Sequence, residues 1–213
     1  MIITRIVKKD EKNVTVCFDN DEVLFLALDI FYKNGLKKND QISEDRFFSL
    51  IKENKLFHIK QRAFSYLGRR QHSTSELRIK LKQKGYETEL INEVLDDLKQ
   101  KNYLDDIEFA KAYVEEKIKL KLWGEQKLRS ELIKRGIKSD IISDVLRNII
   151  SDENQLNNAL ILATKKYHTL SNRNLDRKVI KQKLITFLNS RGYNFDVIKE
   201  ICDELIKEEN QFD

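Results

Sequence analysis

The sequence predicts a mostly α-helical protein: tandem three-helix repeats in an elongated array, preceded by a small N-terminal β-meander with its own helix. Three observations carry that expectation. β-branched residues cluster between polar turns only near the start of the chain. One apolar pattern ending on a basic residue and glycine then recurs three times. Finally, the 213 residues include no proline and only six glycines, where average usage would give roughly ten prolines. With apolar residues spread evenly, that composition excludes long disorder.

The meander comes first. Ile2, Ile3, Ile6 and Val7 form one β-rich run, and Val14, Thr15, Val16, Cys17 and Phe18 a second. Val23, Leu24, Phe25 and Leu26 form a third. Polar turn residues fill 9–13 and 19–22, as a hairpin series requires. Three strands cannot bury both faces alone, so they must pack on helices, for which 29–34 (before Gly35) and 44–57 are the candidates. This first region, 1–58, holds ten basic and ten acidic residues.

From about residue 60 the chain repeats itself. The first copy reads Leu77-xxx-Leu81-xx-Lys84-Gly85-Tyr86, then Ile91, Val94 and Leu95. The second reads Leu128-xxx-Leu132-xx-Arg135-Gly136-Ile137, then Ile142, Val145 and Leu146. The third reads Leu184-xxx-Leu188-xx-Arg191-Gly192-Tyr193, then Ile198, Ile201 and Cys202. The glycines stand 51 and 56 residues apart. Leucines at i and i+4 place two apolar knobs on one helical face. The glycine suits a C′ position at positive φ. Thr88, Ser139 or Asn194 then offers a cap for the next helix, whose buried stripe follows. Upstream of each leucine pair runs another apolar helix, through Ala63, Tyr66 and Leu67, then Phe109, Ala110, Tyr113 and Val114, then Leu160, Ala163 and Tyr167.

Each copy is therefore a three-helix unit, with boundaries expected at 59–105, 106–153 and 154–213. Ser73-xx-Glu76 is a capping box for the first middle helix, and Asp105 or Asp106 caps the helix containing Phe109. Units near 50 residues bury too little surface to be very stable alone, so neighbours should stack.

Charge follows the repeat. The net charge is +7 over 60–84, −6 over 85–110, +5 over 111–138, −3 over 139–160, +7 over 161–191 and −5 over 192–213. In every repeat the first two helices are basic and the third is acidic. Pairing of basic helices with acidic neighbours explains part of this alternation but not why it follows helix order. If the acidic helices face one side, a basic ridge is left for a polyanion.

Catalytic signatures are missing. His58, His72 and His168 are isolated from one another and from cysteine, so no zinc spacing exists. The chain lacks a glycine-rich phosphate loop and a nucleophile elbow. The acidic pairs Asp96-Asp97 and Asp105-Asp106 suit an acidic helix and a helix N-terminus better than a two-metal centre. No cofactor is expected. Cys17 and Cys202 lie far apart, no apolar run spans a membrane, and the start lacks a secretory signal. A cytoplasmic location with reduced thiols is the expectation.

The basic residues remain as candidates. Lys84, Arg135 and Arg191 suit helix C-termini on local grounds. Arg69 and Arg70 follow a helix end. Arg78 and Lys82 are like charges at i, i+4, a spacing that costs a few tenths of a kcal/mol (about 0.2–0.5) and so suggests use by a partner. Lys117, Lys119 and Lys121 lead into Trp123, followed by Lys127 and Arg129. Trp123 itself suits packing better than stacking on a base. In the third repeat Lys165, Lys166, Arg173, Arg177, Lys178 and Lys181 make the matching patch.

These motifs resemble a known family. Tyr66-Leu67-Gly68-Arg69-Arg70, with Ser75-Glu76-Leu77-xxx-Leu81-xxx-Gly85, resembles the first repeat of the RecX recombination regulators. Tyr103-Leu104-Asp105-Asp106-xx-Phe109-Ala110, with Trp123-Gly124-xxx-Leu128-xx-Glu131-Leu132-xx-Arg135-Gly136-Ile137, is similar to their second. The third repeat departs more, with a longer first loop through Ser171, Asn172, Arg173 and Asn174. The resemblance implies a non-enzymatic, cytoplasmic protein of homologous recombination, DNA repair and the SOS response. It would lie along the groove of the RecA–DNA filament and restrain strand exchange and ATP hydrolysis by RecA. The expected partners are RecA and single- or double-stranded DNA without sequence preference, bound by a monomer away from any membrane. A direct DNA-binding protein of tandem three-helix units is the alternative, and a helical adaptor for another protein a further one.

Overall fold

A computed structural model of the chain describes residues 1–173 and 175–208. The three predicted strands are present as β1 (Ile3–Lys8), β2 (Asn13–Phe18) and β3 (Val23–Ala27), an antiparallel sheet in the order β1-β2-β3. Val16 faces Ile6 on one side and Leu24 on the other. The period of two sends Val14, Val16, Phe18, Leu24 and Leu26 to one buried face. That face is covered by α1 (Leu28–Lys33) and the start of α2 (Glu44–Leu67), through Ile30, Phe47 and Leu50. Asn54 of α2 closes the β3 edge. Its side-chain amide donates to the Phe25 carbonyl at 2.9 Å and accepts from the Ala27 N–H at 2.8 Å, so the edge is less open to a foreign strand.

Helix α2 spans 24 residues and runs through position 58, where the sequence suggests a boundary. No proline or glycine interrupts it. Ser43 caps its start, accepting from Arg46 N–H, and Gly68 ends it. Its first half completes the sheet core, while Ile59 and Ala63 on its second half enter the core of the first repeat. That repeat is completed by α3 (Thr74–Lys82) and α4 (Thr88–Gln100). The second comprises α5 (Asp106–Lys121), α6 (Glu125–Lys134) and α7 (Ser139–Ile149). The third comprises α8 (Asp152–Ser171), α9 (Arg177–Arg191) and α10 (Phe195–Glu208). Each repeat has its own apolar core. All six pattern leucines, from Leu77 to Leu188, are 0 % exposed.

Helix ends follow the sequence in part. Gly85, Gly136 and Gly192 have φ of +82°, +69° and +89°, as a C′ residue at positive φ demands. Asp105, not Asp106, caps α5, accepting from the N–H groups of Ile107 and Glu108. Asp106 instead accepts from Thr74 N–H at 2.7 Å. The expected caps Thr88 and Ser139 are corrected. Glu87 and Lys138 occupy those cap positions without side-chain bonds, and the helices begin on Thr88 and Ser139. In the third repeat Asn194 does cap, accepting from Val197 N–H at 2.9 Å. The reason is register: Asn194 lies two residues past its glycine, aligned with Glu87 and Lys138, not with Thr88 and Ser139.

The third repeat's longer spacing has a structural counterpart. Helix α9 begins at Arg177, seven residues before Leu184, whereas α3 and α6 begin three residues before Leu77 and Leu128. One extra helical turn thus precedes the pattern. Asn174 of the expected loop lies outside the described residues, as do 209–213 of the last acidic segment.

The chain divides into two compact units, Met1–His72 with Leu77–Leu104, and Ser73–Glu76 with Asp105–Asp213. Within the second unit one joint occurs twice. Ser73 Oγ accepts from Glu76 N–H at 3.0 Å and donates to the Arg135 carbonyl at 2.6 Å, beside Gly136. At the other copy, the N–H groups of Gly124 and Gln126 donate to the carbonyls of Arg191 (2.9 Å) and Gly192 (3.0 Å). The Tyr193 hydroxyl adds a bond to the Leu122 carbonyl at 2.8 Å. In each, the glycine turn ending one middle helix meets the start of the middle helix one repeat earlier. A Cβ on Gly136 would overlap Ser75, and one on Gly192 would overlap Lys127. Gly192→Ala should therefore lower unfolding stability by about 2 kcal/mol or more, combining left-handed strain with overlap. Gly85→Ala, with nothing within 4 Å of its Cβ position, should cost only the conformational part, about 1–2 kcal/mol. Urea denaturation followed by circular dichroism measures both.

Candidate functional site

The predicted contact residues fall into two groups. Arg69, Lys82, Lys119, Lys121, Lys165, Arg173 and Lys178 are exposed and make no ion pair among the described residues. Arg70 and Arg177 are also exposed; an Arg70 guanidinium N–H donates to the Gln71 carbonyl at 2.7 Å.

The remaining six serve their own repeats as well. Arg78 donates to Asn92 at 3.2 Å. Its counterpart Arg129 donates to Ser143 at 3.3 Å and to Glu125 at 2.8 Å. Asn92 and Ser143 each follow the first buried Ile of the third helix, so the two arginines make the same cross-helix tie. Lys181 ties α9 to α10 through Asp203 at 2.8 Å. Lys127 sits over the Trp123 ring, and Trp123 packs against the second core, as the sequence suggests.

Cations also gather on aromatic rings. The Arg135 guanidinium lies 4.3 Å and the Lys117 ammonium 5.0 Å from the Tyr113 ring centre. Arg191 and Lys166 lie 5.1 and 5.6 Å from that of Phe187, and Lys80 lies 5.0 Å from that of Tyr66. The attraction of a cation for the ring face fixes these side chains without consuming their charge.

The acidic third helices are partly spoken for. In the first unit Lys52, Lys55 and Lys60 of α2 pair with Glu93, Glu87 and Asp97 at 2.8, 2.7 and 2.5 Å, and Lys101 also pairs with Asp97. Lys101 and Lys60 hold the Asp97 carboxyl below the ordinary range. Charge alternation by helix is thus used inside the protein as well as displayed. The lysines that do this lie on α2 and at the C-terminal end of α4, and none is a predicted contact residue.

Sequence reasoning did not single out the cluster around Glu131. Its carboxylate is 16 % exposed and meets Lys134 and Arg135 at 2.9 Å, with Lys127 at 3.9 Å. Arg135 also approaches Glu76 at 3.8 Å. Its signals were the basic residue before each glycine and the Glu131 and Arg135 positions of the second-repeat motif. Among the described residues no group of His, Cys, Asp or Glu could hold a metal ion, and no helix is long and apolar enough to cross a membrane.

Comparison with known proteins accounts for these repeats. Family models described as the first, second and third three-helix domains of RecX match residues 60–98, 105–146 and 152–202. The chain belongs to the RecX family. It is 32% identical over 197 residues to the regulatory protein RecX of Clostridium botulinum (strain Alaska E43 / Type E3), covering 92% of both chains. The Clostridium acetobutylicum protein of the same name is 30% identical over 204 residues, covering 95% of this chain and 94% of that one. A crystal structure of regulatory protein RecX superposes with a TM-score of 0.76 at 24% identity, covering 95% of this chain and 98% of the other. RecX from Lactobacillus salivarius gives 0.65 at 23% identity over 72% and 97%. The similarity to the two Clostridium relatives covers more of this chain than the three repeats alone, and the family is one of regulatory proteins.

Lys134 and Arg135 hold the Glu131 carboxyl below its ordinary 4.5. Its contribution to stability is then full at neutral pH and is lost as pH falls below that value. Glu131→Gln should be less stable than the parent at pH 7, with the gap closing as pH falls below the ordinary 4.5. Urea midpoints measured from pH 7 to pH 3 give the result.

Proposed function

We propose that this protein binds the RecA–DNA filament and restrains its ATP hydrolysis and strand exchange. The match of all three repeats to the RecX domains is the observation that carries the reading. The exposed cations retained on each repeat support it, because a filament groove lined by DNA is polyanionic. On this reading the protein acts as a monomer in the cytoplasm, in recombinational repair and the SOS response. It recognises DNA backbone without sequence preference, since phosphate contacts carry no base information. Arg69, Arg70, Lys82, Lys119, Lys121, Lys165, Arg173, Arg177 and Lys178 are the residues best placed for such contact. Arg78, Lys117, Lys127, Arg129, Lys166 and Lys181 would share that task with their internal ties.

The direct test titrates the protein into RecA on single-stranded DNA while ATP hydrolysis is followed, with a parallel binding curve on bare DNA. Suppression of hydrolysis well below the concentration that coats bare DNA is expected. Unchanged hydrolysis alongside tight, salt-sensitive binding to bare DNA would favour the alternative, a DNA-binding protein acting alone.

The two groups of cations separate in a second measurement. Lys119→Gln with Lys121→Gln should weaken binding to duplex DNA and reduce the slope of log K against log salt by about 1.8, at about 0.9 per phosphate contact. Thermal stability should be nearly unchanged. Arg129→Gln should instead lower stability by about 1–2 kcal/mol, because it removes charge-assisted bonds to Glu125 and Ser143.

A further inference from the structure

Two of the three glycine turns are filled from within the chain, and one is not. At Arg135-Gly136 the carbonyl before the glycine takes a bond from Ser73. At Arg191-Gly192 both carbonyls take bonds from the start of α6, from its N-cap Gly124 and from Gln126, and the Tyr193 hydroxyl donates to a third group, the Leu122 carbonyl. The first repeat carries the corresponding residues, Lys84-Gly85-Tyr86, with Gly85 at φ +82° against +89° at Gly192, although among the described residues Tyr86 N–H makes no counterpart of the backbone bond that Ile137 and Tyr193 N–H donate back to Leu132 and Leu188. Here nothing stands within 4 Å of the Cβ position. Among the described residues no group donates to the Lys84 or Gly85 carbonyl, and the Tyr86 hydroxyl makes no hydrogen bond. Beside the turn lies a cleft of about 460 Å³ lined by Asn54, Lys55, His58, Ile59, Tyr86 and Leu90, among others.

Among the described residues no start of a middle helix is left to fill it. Ser73 is engaged by the Gly136 turn and Gly124 by the Gly192 turn. On the third middle helix the extra turn, residues 177–180, covers the equivalent place. Asp176 caps that turn through Lys178 N–H at 2.7 Å. Ile180, buried, stands four residues before Leu184, where Ser73 and Gly124 stand before Leu77 and Leu128. Among the described residues a second copy of this chain thus offers no free middle-helix start, which points to another protein as the occupant.

We infer that the Lys84-Gly85-Tyr86 turn is a docking ledge for a helix N-terminus in the filament protein, RecA on the reading above, on which this inference rests. The two internal joints define what fits. The arriving helix opens on Ser or Gly, because a Cβ at Gly124 would overlap the Gly192 backbone. Its first free N–H groups donate to the Lys84 and Gly85 carbonyls, satisfying donors that a helix start leaves unpaired. A backbone carbonyl just before it accepts from the Tyr86 hydroxyl, as Leu122 does from Tyr193. An acidic side chain in its first turn faces Lys84, as Glu76 faces Arg135.

The test measures binding of the fluorescently labelled full chain to RecA filaments on single-stranded DNA. Gly85→Asn adds a side chain while keeping a residue that tolerates the left-handed conformation. It should weaken binding at least tenfold, and Tyr86→Phe severalfold. Gly35→Asn is the control, since Gly35 also has positive φ and open space around it, and it should bind like the parent. A photo-crosslinking residue at position 84 should attach to the first turn of a RecA helix. Equal binding by all variants, or crosslinks to DNA alone, would overturn the ledge and leave the filament reading standing. Failure of the parent chain to bind filaments would overturn both.

Discussion

A glycine in the left-handed conformation can end a helix and also let another backbone come close, because it carries no Cβ. The second unit depends on that double use. Gly136 and Gly192 each end a middle helix, and each accepts the start of another against its bare Cα. The bonds that form satisfy groups that helix ends otherwise leave open. The C-terminal end of one middle helix also meets the N-terminal end of the middle helix one repeat earlier, so the opposite partial charges of their dipoles face each other. The joint needs no large apolar surface, which is why each repeat can keep a separate core.

Electrostatics divides between internal ties and display. Arg78 and Arg129 stitch the middle helix of their repeats to the third, and Lys181 does so by a different route in the last repeat. Lysines of α2 neutralise the acidic α4. The residues that remain exposed without an internal ion pair lie mainly at helix ends and on the middle helices, where long side chains can reach outward. One charge pattern thus accounts for both the cohesion of each three-helix unit and the cations available to a polyanionic partner.

Much of this was legible in the sequence because it depends on neighbours. The strands follow from alternating Val14, Val16 and Phe18. The buried leucine pairs follow from spacing of four, and the positive-φ glycines follow from the end of an apolar stripe. Ser73 and Asp105 are recognisable as caps from the residues just after them. Misreadings also had local causes. Thr88 and Ser139 looked like caps because they are polar and near the right place, but cap position is set by distance from the glycine, and only Asn194 falls on it. The boundary near residue 58 follows from where the repeat pattern begins, and the helix Glu44–Leu67 runs through it.

Composition, periodicity and spacing by themselves determined that the chain is helical after a short sheet, that it repeats three times, and which leucines are buried. Those features arise from interactions within a few residues or one helical turn. Tertiary structure alone decided where the glycine turns dock, which arginines are tied internally and which turn is left open. Ser73 and Arg135 are 62 residues apart, and Leu122 and Tyr193 are 71 apart. No local pattern encodes such pairs, because their contact depends on the accumulated direction of every helix between them.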